Sequence, residues 1–204
     1  MLVKYWMRTD IPKVGKGTKI REVKEECEKS QVLIVVDEDG KFVGFVDCGN
    51  LPDDDGLNID EFVISKDCYL KEDDHIEHAA LLLVETGERF LPVLDSDGKP
   101  VGTIGTYDIL DALIHLTAFE ERGVKVFMTM RDRPGQLKKV VDLFYVNGIN
   151  ILSVLTHKKE GMEAREVAIK VDCSDMKRLK KLMDDAGIEY DYMTMEEGLW
   201  NNDN

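Results

Sequence analysis

The sequence predicts an α/β (α+β) protein: two βαββα-type repeats followed by a split βαββαβ unit. Three observations carry this. One block of sequence occurs twice at an offset of 58 residues. An amphipathic helical pattern precedes each copy, and beyond Gly123 strands and helices alternate in a new order.

The copies span residues 32–46 and 90–104. Asp37, Asp39, Gly40, Lys41, Val43 and Gly44 of the first match Asp95, Asp97, Gly98, Lys99, Val101 and Gly102 of the second. Each reads as an apolar strand, a turn and a second strand. Asp-x-Asp-Gly suits that turn, because aspartate side chains cap it and glycine tolerates a positive φ. The first helix is expected after Thr18 as N-cap, with Ile20, Val23 and Cys27 on one face. The second is expected after Asp74, with apolar Ile76, Ala79, Ala80, Leu83 and Val84. Short helices follow each hairpin, around residues 48–51 and from Thr106 to about Leu116, the latter with Ile109, Leu110, Leu113 and Ile114 inward.

These hairpins, the lead-in over residues 6–14 and the stretch from Gly102 to Leu110 resemble a pair of CBS domains, with boundaries 1–58 and 59–118. The resemblance implies clefts that take adenosine-containing ligands through a Gly-h-h-Thr/Ser-x-x-Asp motif, where h is apolar. The aspartate accepts from both ribose hydroxyls, and a hydroxyl at a helix start meets phosphate beside backbone N–H groups. Transferred to this chain, the contacts fall on Thr9, Asp10 and Ile11 of the lead-in, on Phe90 and Pro92 of the strand start, and on Thr106 and Asp108. The second copy keeps the ribose aspartate as Asp108 but has Gly105 at the hydroxyl position, with Thr106 adjacent. The first copy has Asp47 and Asn50 at the two positions, and an aspartate there repels phosphate. One competent cleft at most is therefore expected. Asp108 also reads simply as a first-turn carboxylate favoured by the helix dipole.

In the second half, residues 124–130 alternate as a strand, and residues 131–135 form a loop into a helix with Leu137, Val140, Val141 and Phe144 at helical spacing. Asn147 and Gly148 end that helix. Strands are expected at 149–156 and 163–171 around a turn at 158–161. A helix follows from Asp175 to about Ala186 with Met176, Leu179, Leu182 and Met183 inward, closed by Gly187, then a last strand at 188–193. The order is the ferredoxin-like βαββαβ motif. The loop Arg131-Asp-Arg-Pro-Gly-Gln-Leu137 and the run Asn147-Gly-Ile-Asn-Ile151 resemble an ACT domain over 123–195, leaving a tail at 196–204. That resemblance implies dimerisation and an amino-acid site at Asp132, Arg133, Pro134 and Gly135, with Asn150 supplied by a neighbouring subunit. Many such domains only dimerise, and the same loop also reads as a plain turn with Pro134 near the first helical position.

Composition narrows the partners. The net charge is −14, and residues 1–118 hold 25 Asp/Glu against 13 Lys/Arg. A phosphate backbone needs a basic footprint, so no nucleic acid is expected. A monophosphate, a neutral adenosine derivative or S-adenosylmethionine suits the acidic half better than a triphosphate. No stretch approaches about 18 consecutive apolar residues, so no membrane partner is expected and the location is read as cytoplasmic. Cys27, Cys48, Cys68 and Cys173 form no CxxC pair and are expected as free thiols, with neither disulfide nor zinc. His75, Glu77 and His78 read as a solvated helix end rather than a metal site. No serine elbow, complete phosphate loop or acid–base pair stands out.

The expectation is therefore a non-catalytic, cofactor-free, homodimeric regulator acting on an unidentified protein. Its CBS–ACT order resembles the acetoin-utilisation class of bacterial regulators. Two alternatives stand beside it: an amino-acid sensor working through the ACT domain alone, and a ligand-free dimerisation scaffold.

Overall fold

A computed structural model describes residues 1–30, 32–54, 56–64 and 67–198. The predicted tail lies outside these beyond residue 198. The chain forms two compact units, Met1–Ala112 and a second from Leu113 onward.

In the first unit each repeat builds a three-stranded sheet. The first repeat contains β1 (Lys13–Gly15), α1 (Ile20–Lys29), β2 (Val32–Val36) and β3 (Phe42–Asp47), with sheet order β1-β2-β3. The second contains β4 (Leu70–Lys71), α2 (Ile76–Thr86), β5 (Phe90–Leu94), β6 (Pro100–Gly105) and α3 (Thr106–Leu116), with order β4-β5-β6. In both sheets the first pair is parallel and the second antiparallel. The hairpin turns form as their aspartates require. Asp37 Oδ1 accepts from the amides of Asp39 and Lys41, and Asp95 Oδ1 from those of Asp97 and Lys99. Gly40 and Gly98 take φ of 75° and 79°.

Strand β2 is apolar throughout because both its faces are covered. Leu33 and Val35 pack with Ile20, Val23, Val46 and Ile59. Val32 and Ile34 pack with Phe45, against Ile11 of the lead-in and Phe90 of the second repeat. The repeats are also cross-laced: Arg8 pairs with Thr103 of β6, and Ile64 pairs with Phe45 of β3. Each segment entering one repeat thus lies on the hairpin of the other. Gly44 and Gly102 make this possible. A Cβ on Gly44 would stand 2.3 Å from Val63 Cγ1 and 2.9 Å from the Ile64 carbonyl, and one on Gly102 would stand 2.8 Å from the Arg8 carbonyl.

The second unit contains β7 (Gly123–Arg131), α4 (Lys138–Val146), β8 (Ile151–Lys158), β9 (Ala164–Val171), α5 (Met176–Asp185) and β10 (Tyr192–Glu196). Its sheet is antiparallel with order β10-β7-β9-β8, the ferredoxin-like arrangement. Alternate residues Val124, Val126, Met128, Val167, Ile169 and Val171 face Val140, Phe144, Leu179 and Met183 of the two helices. Asp175 caps α5 through the Arg178 amide.

Several expectations need correction. Cys27 and Cys48 form a disulfide, with Cα atoms 5.4 Å apart. The fold brings the end of α1 beside the turn after β3, a pairing that spacing along the chain does not reveal. Cys68 and Cys173 are free and buried. Thr18 does not cap α1; its hydroxyl donates to the Gly15 carbonyl, and Lys19 holds the cap position without a side-chain bond. Leu110, Leu113 and Met176, expected inward, are exposed, as are Val84 and Val141 of the apolar helix patterns, because in each helix a narrower stripe is buried. The last strand begins at Tyr192, not at 188, because Gly187 and Ile188 are used in closing α5 on Asp184 and Met183.

Candidate functional site

The second repeat places Asp108 in the first turn of α3, directly after β6. Its Oδ2 accepts from the Gly105 amide at 2.7 Å, which holds the carboxylate across the helix start. Its Oδ1 accepts from Arg8 Nε at 2.8 Å. Asp108 is mostly buried and Arg8 mostly exposed, so the carboxylate is anchored while the guanidinium can be reached from solvent. Thr106 opens the helix, with its amide and hydroxyl both donating to the Arg89 carbonyl. Ile11 and Phe90 share one apolar cluster, Pro92 is buried inside β5, and Thr9 and Asp10 are exposed on the lead-in.

A cleft of about 320 Å³ lies where the repeats meet, lined by Val32, Asp47 and both disulfide cysteines of the first and by Arg89 and Phe90 of the second. Of the seven residues expected at a nucleotide site, Phe90 lines this cleft. Asp47 does not stand open toward it as a bare anion. Its Oδ1 accepts from the Gly49 amide and its Oδ2 from Asn50 Nδ2, so the two residues at the motif positions satisfy each other within a 3-10 turn, Cys48–Asn50.

In the second unit a smaller cavity of about 150 Å³ lies over the loop between β7 and α4. Asp132, Arg133 and Gly135 line it, together with Lys138, Thr156 and Arg165. Arg165 Nε donates to Asp132 Oδ1 at 2.8 Å and its Nη1 to the Thr156 hydroxyl at 3.1 Å. Arg133 lies 3.6 Å from Glu163. Gly135 has φ of 82°, a conformation a side chain would strain, which lets the loop turn into α4. Pro134 and Asn150 do not line the cavity; Asn150 is exposed just before β8.

The duplicated sheets, the paired Asp-x-Asp-Gly turns and the crossed lead-in strands describe one architecture. The CBS-domain model matches residues 3–51 and 59–115. The chain belongs to the CBS-domain family. An uncharacterised protein of Methanopyrus kandleri is 29% identical over 106 residues, which are 49% of this chain and 50% of that protein. The chain therefore spans about half the length of the curated relative it matches. The crystal structure of a CBS domain pair/ACT domain protein from Thermotoga maritima is 34% identical with a TM-score of 0.50, over 56% of this chain and 97% of that one. The CBS domain pair of protein MJ0100, solved in complex with 5-methylthioadenosine and S-adenosyl-L-methionine, shares the fold at 22% identity and a TM-score of 0.50, over 55% and 95% of the two chains.

CBS pairs are generally regulatory modules. No helix among the described residues is long and apolar enough to cross a membrane. No cluster of three or more His, Cys, Asp or Glu among them has the arrangement to hold a metal ion. Sequence reasoning missed four residues: Arg8, Arg89, Arg165 and the Cys27 partner of Cys48. Arg165 carried a usable signal, since the turn at 158–161 sets it opposite Lys158 in the β8–β9 ladder, at the mouth of the loop. Arg8 lies within the CBS lead-in, but its partner Asp108 is 100 residues away.

Proposed function

We propose that this CBS pair is a sensor of an adenosine-type ligand: a monophosphate, a neutral derivative or S-adenosylmethionine. The contacts are Thr9, Asp10, Ile11, Phe90, Pro92, Thr106 and Asp108. The observation that carries the reading is the Arg8–Asp108 pair at the start of α3. A fixed carboxylate suits two ribose hydroxyls, and an exposed guanidinium released from it suits a phosphate or carboxylate tail. The apolar cluster of Ile11 and Phe90 offers a surface for the base. Binding exchanges one internal ion pair for contacts with the ligand, which favours one arrangement of the lead-in and so transmits occupancy to a partner protein. The protein acts in the cytoplasm, without catalysis or cofactor.

Isothermal titration of the full chain with AMP, adenosine and S-adenosylmethionine tests this. Asp108→Asn keeps an acceptor for the Gly105 amide but loses the charge, and is expected to weaken binding about 10- to 100-fold, one charge-assisted hydrogen bond or two. Absence of heat with all three ligands overturns the reading.

For the second unit we propose an ACT domain, in a regulator of the acetoin-utilisation class. It pairs with a second copy through β8, an edge strand whose Val154 and Leu155 are exposed. The cavity over Asp132–Gly135 supports amino-acid binding: Arg165 and Lys138 suit a carboxylate, and Asp132 suits an amine. Asn150 joins from the neighbouring subunit. A thermal-shift panel of the twenty amino acids tests this, with Asn150→Ala abolishing any shift.

A further inference from the structure

The Cys27–Cys48 disulfide takes no part in the nucleotide reading. It joins the end of α1 to the 3-10 turn that follows β3, two cysteines 21 residues apart in sequence. Both cysteines are half-buried and both line the cleft where the repeats meet, whereas Cys68 and Cys173 are buried. Burial pushes the Cys68 thiol up; the charge of Glu88 adds to that and a hydrogen bond with Thr86 partly offsets it. The two populations of sulfur are therefore chemically distinct: one pair is reachable by a small thiol, and the two free cysteines are shielded.

We propose that Cys27 and Cys48 form a reversible thiol–disulfide site in the cleft wall, exchanging with low-molecular-weight disulfides of the glutathione class. In the oxidising direction one cysteine thiolate attacks a sulfur of the small disulfide. A mixed disulfide forms, and one small thiol leaves with a proton. The second cysteine thiolate then attacks the protein sulfur of that mixed disulfide and displaces the other small thiol. Two protein thiols are oxidised, one small disulfide is reduced to two thiols, and both protons depart on them. Reduction runs the same steps backwards.

The structural consequence lies in the turn. With the bond closed, the 3-10 turn is clamped to α1. With it open, the turn keeps its local hydrogen bonds, from the Gly49 amide and Asn50 Nδ2 to Asp47 and from the Leu51 amide to the Cys48 carbonyl. The site thus sets the rigidity of one wall of the cleft.

The test uses the full chain equilibrated across ratios of reduced to oxidised glutathione, quenched with iodoacetamide and read by intact mass and peptide mapping. The expected result is conversion from the internal disulfide to a protein alkylated at Cys27 and Cys48, with Cys68 and Cys173 unlabelled. Hydrogen exchange at Gly49 and Leu51 is expected to quicken about tenfold on reduction, as local opening becomes easier. The C27S/C48S double variant is expected to show the reduced-state rate. In C48S alone, Cys27 is expected to retain one glutathionyl group, because nothing remains to displace it. The proposal is overturned if the internal bond forms at no ratio, if it survives a large excess of reduced glutathione, or if exchange in the turn ignores its state. The reduced wild-type protein gives this readout even where a variant fails to fold. None of these readouts contains a nucleotide, so failure here and failure of adenosine binding are separate results.

Discussion

Lys170 carries an ammonium group into the interior of the second unit, where its side chain is fully buried. Its Nζ donates to the Ala118 carbonyl at 2.8 Å, lies 2.8 Å from Glu196 Oε2, and stands 5.9 Å from the centre of the Phe119 ring. Ala118 has φ of 51°, a left-handed conformation that costs an alanine about 1 kcal/mol, so its carbonyl is held in a fixed and unusual direction. A buried charge survives only with such partners, and removing one side of the pair exposes the cost. Lys170→Met is expected to lower stability by about 3 kcal/mol, the low end for breaking a buried pair, because Lys125 remains 3.5 Å from Glu196. Urea denaturation followed by circular dichroism measures it. None of this was legible in the sequence. A lysine between Ile169 and Val171 reads as the solvent-facing member of an alternating strand, and its partner carbonyl is 52 residues away. Arg8 with Asp108, and Cys27 with Cys48, were hidden for the same reason: polar pairing is decided by where the chain returns, and periodicity carries no record of that.

Elements were far more legible, because what makes them is local. Asp37 and Asp95 bond amides two and four residues ahead, so turn chemistry alone announces both hairpins. Helix α5 likewise follows from an aspartate cap and a 3.6-residue stripe. What the pattern overstated was the width of the buried stripe, as Val84 and Leu110 show, because propensity does not say how much of a helix the next layer reaches. Matching glycines were visible as a repeat, but their role was not. Gly102 is expected to tolerate no side chain, since a Cβ would meet Met7 Sδ at 2.7 Å and the Arg8 carbonyl at 2.8 Å. Gly102→Ala should cost about 2 kcal/mol through overpacking, and thermal unfolding checks it. Gly98→Ala, in open space with φ of 79°, should cost less, through backbone strain alone.

At the scale of the whole molecule, duplication and the change of pattern beyond Gly123 were enough to foresee two three-stranded sheets and a separate four-stranded one. The cross-lacing between repeats was not foreseen, and it makes the first unit indivisible. A fragment of residues 1–58 lacks Thr103, on which Arg8 pairs, and Phe90, on which the apolar face of β2 rests. That fragment is expected to be unfolded, with collapsed amide dispersion in a proton–nitrogen correlation spectrum, whereas residues 1–118 should give a folded spectrum. The pairing has a temporal side too. Arg8 exchanges both backbone hydrogen bonds with Thr103, at 2.8 and 2.9 Å. During synthesis at about 5–20 residues per second, the opening segment must wait several seconds for its strand partner to be made. The segment around Arg8 is then among the last parts of its unit to dock, and a nascent chain stalled within the second repeat would carry that segment unpaired.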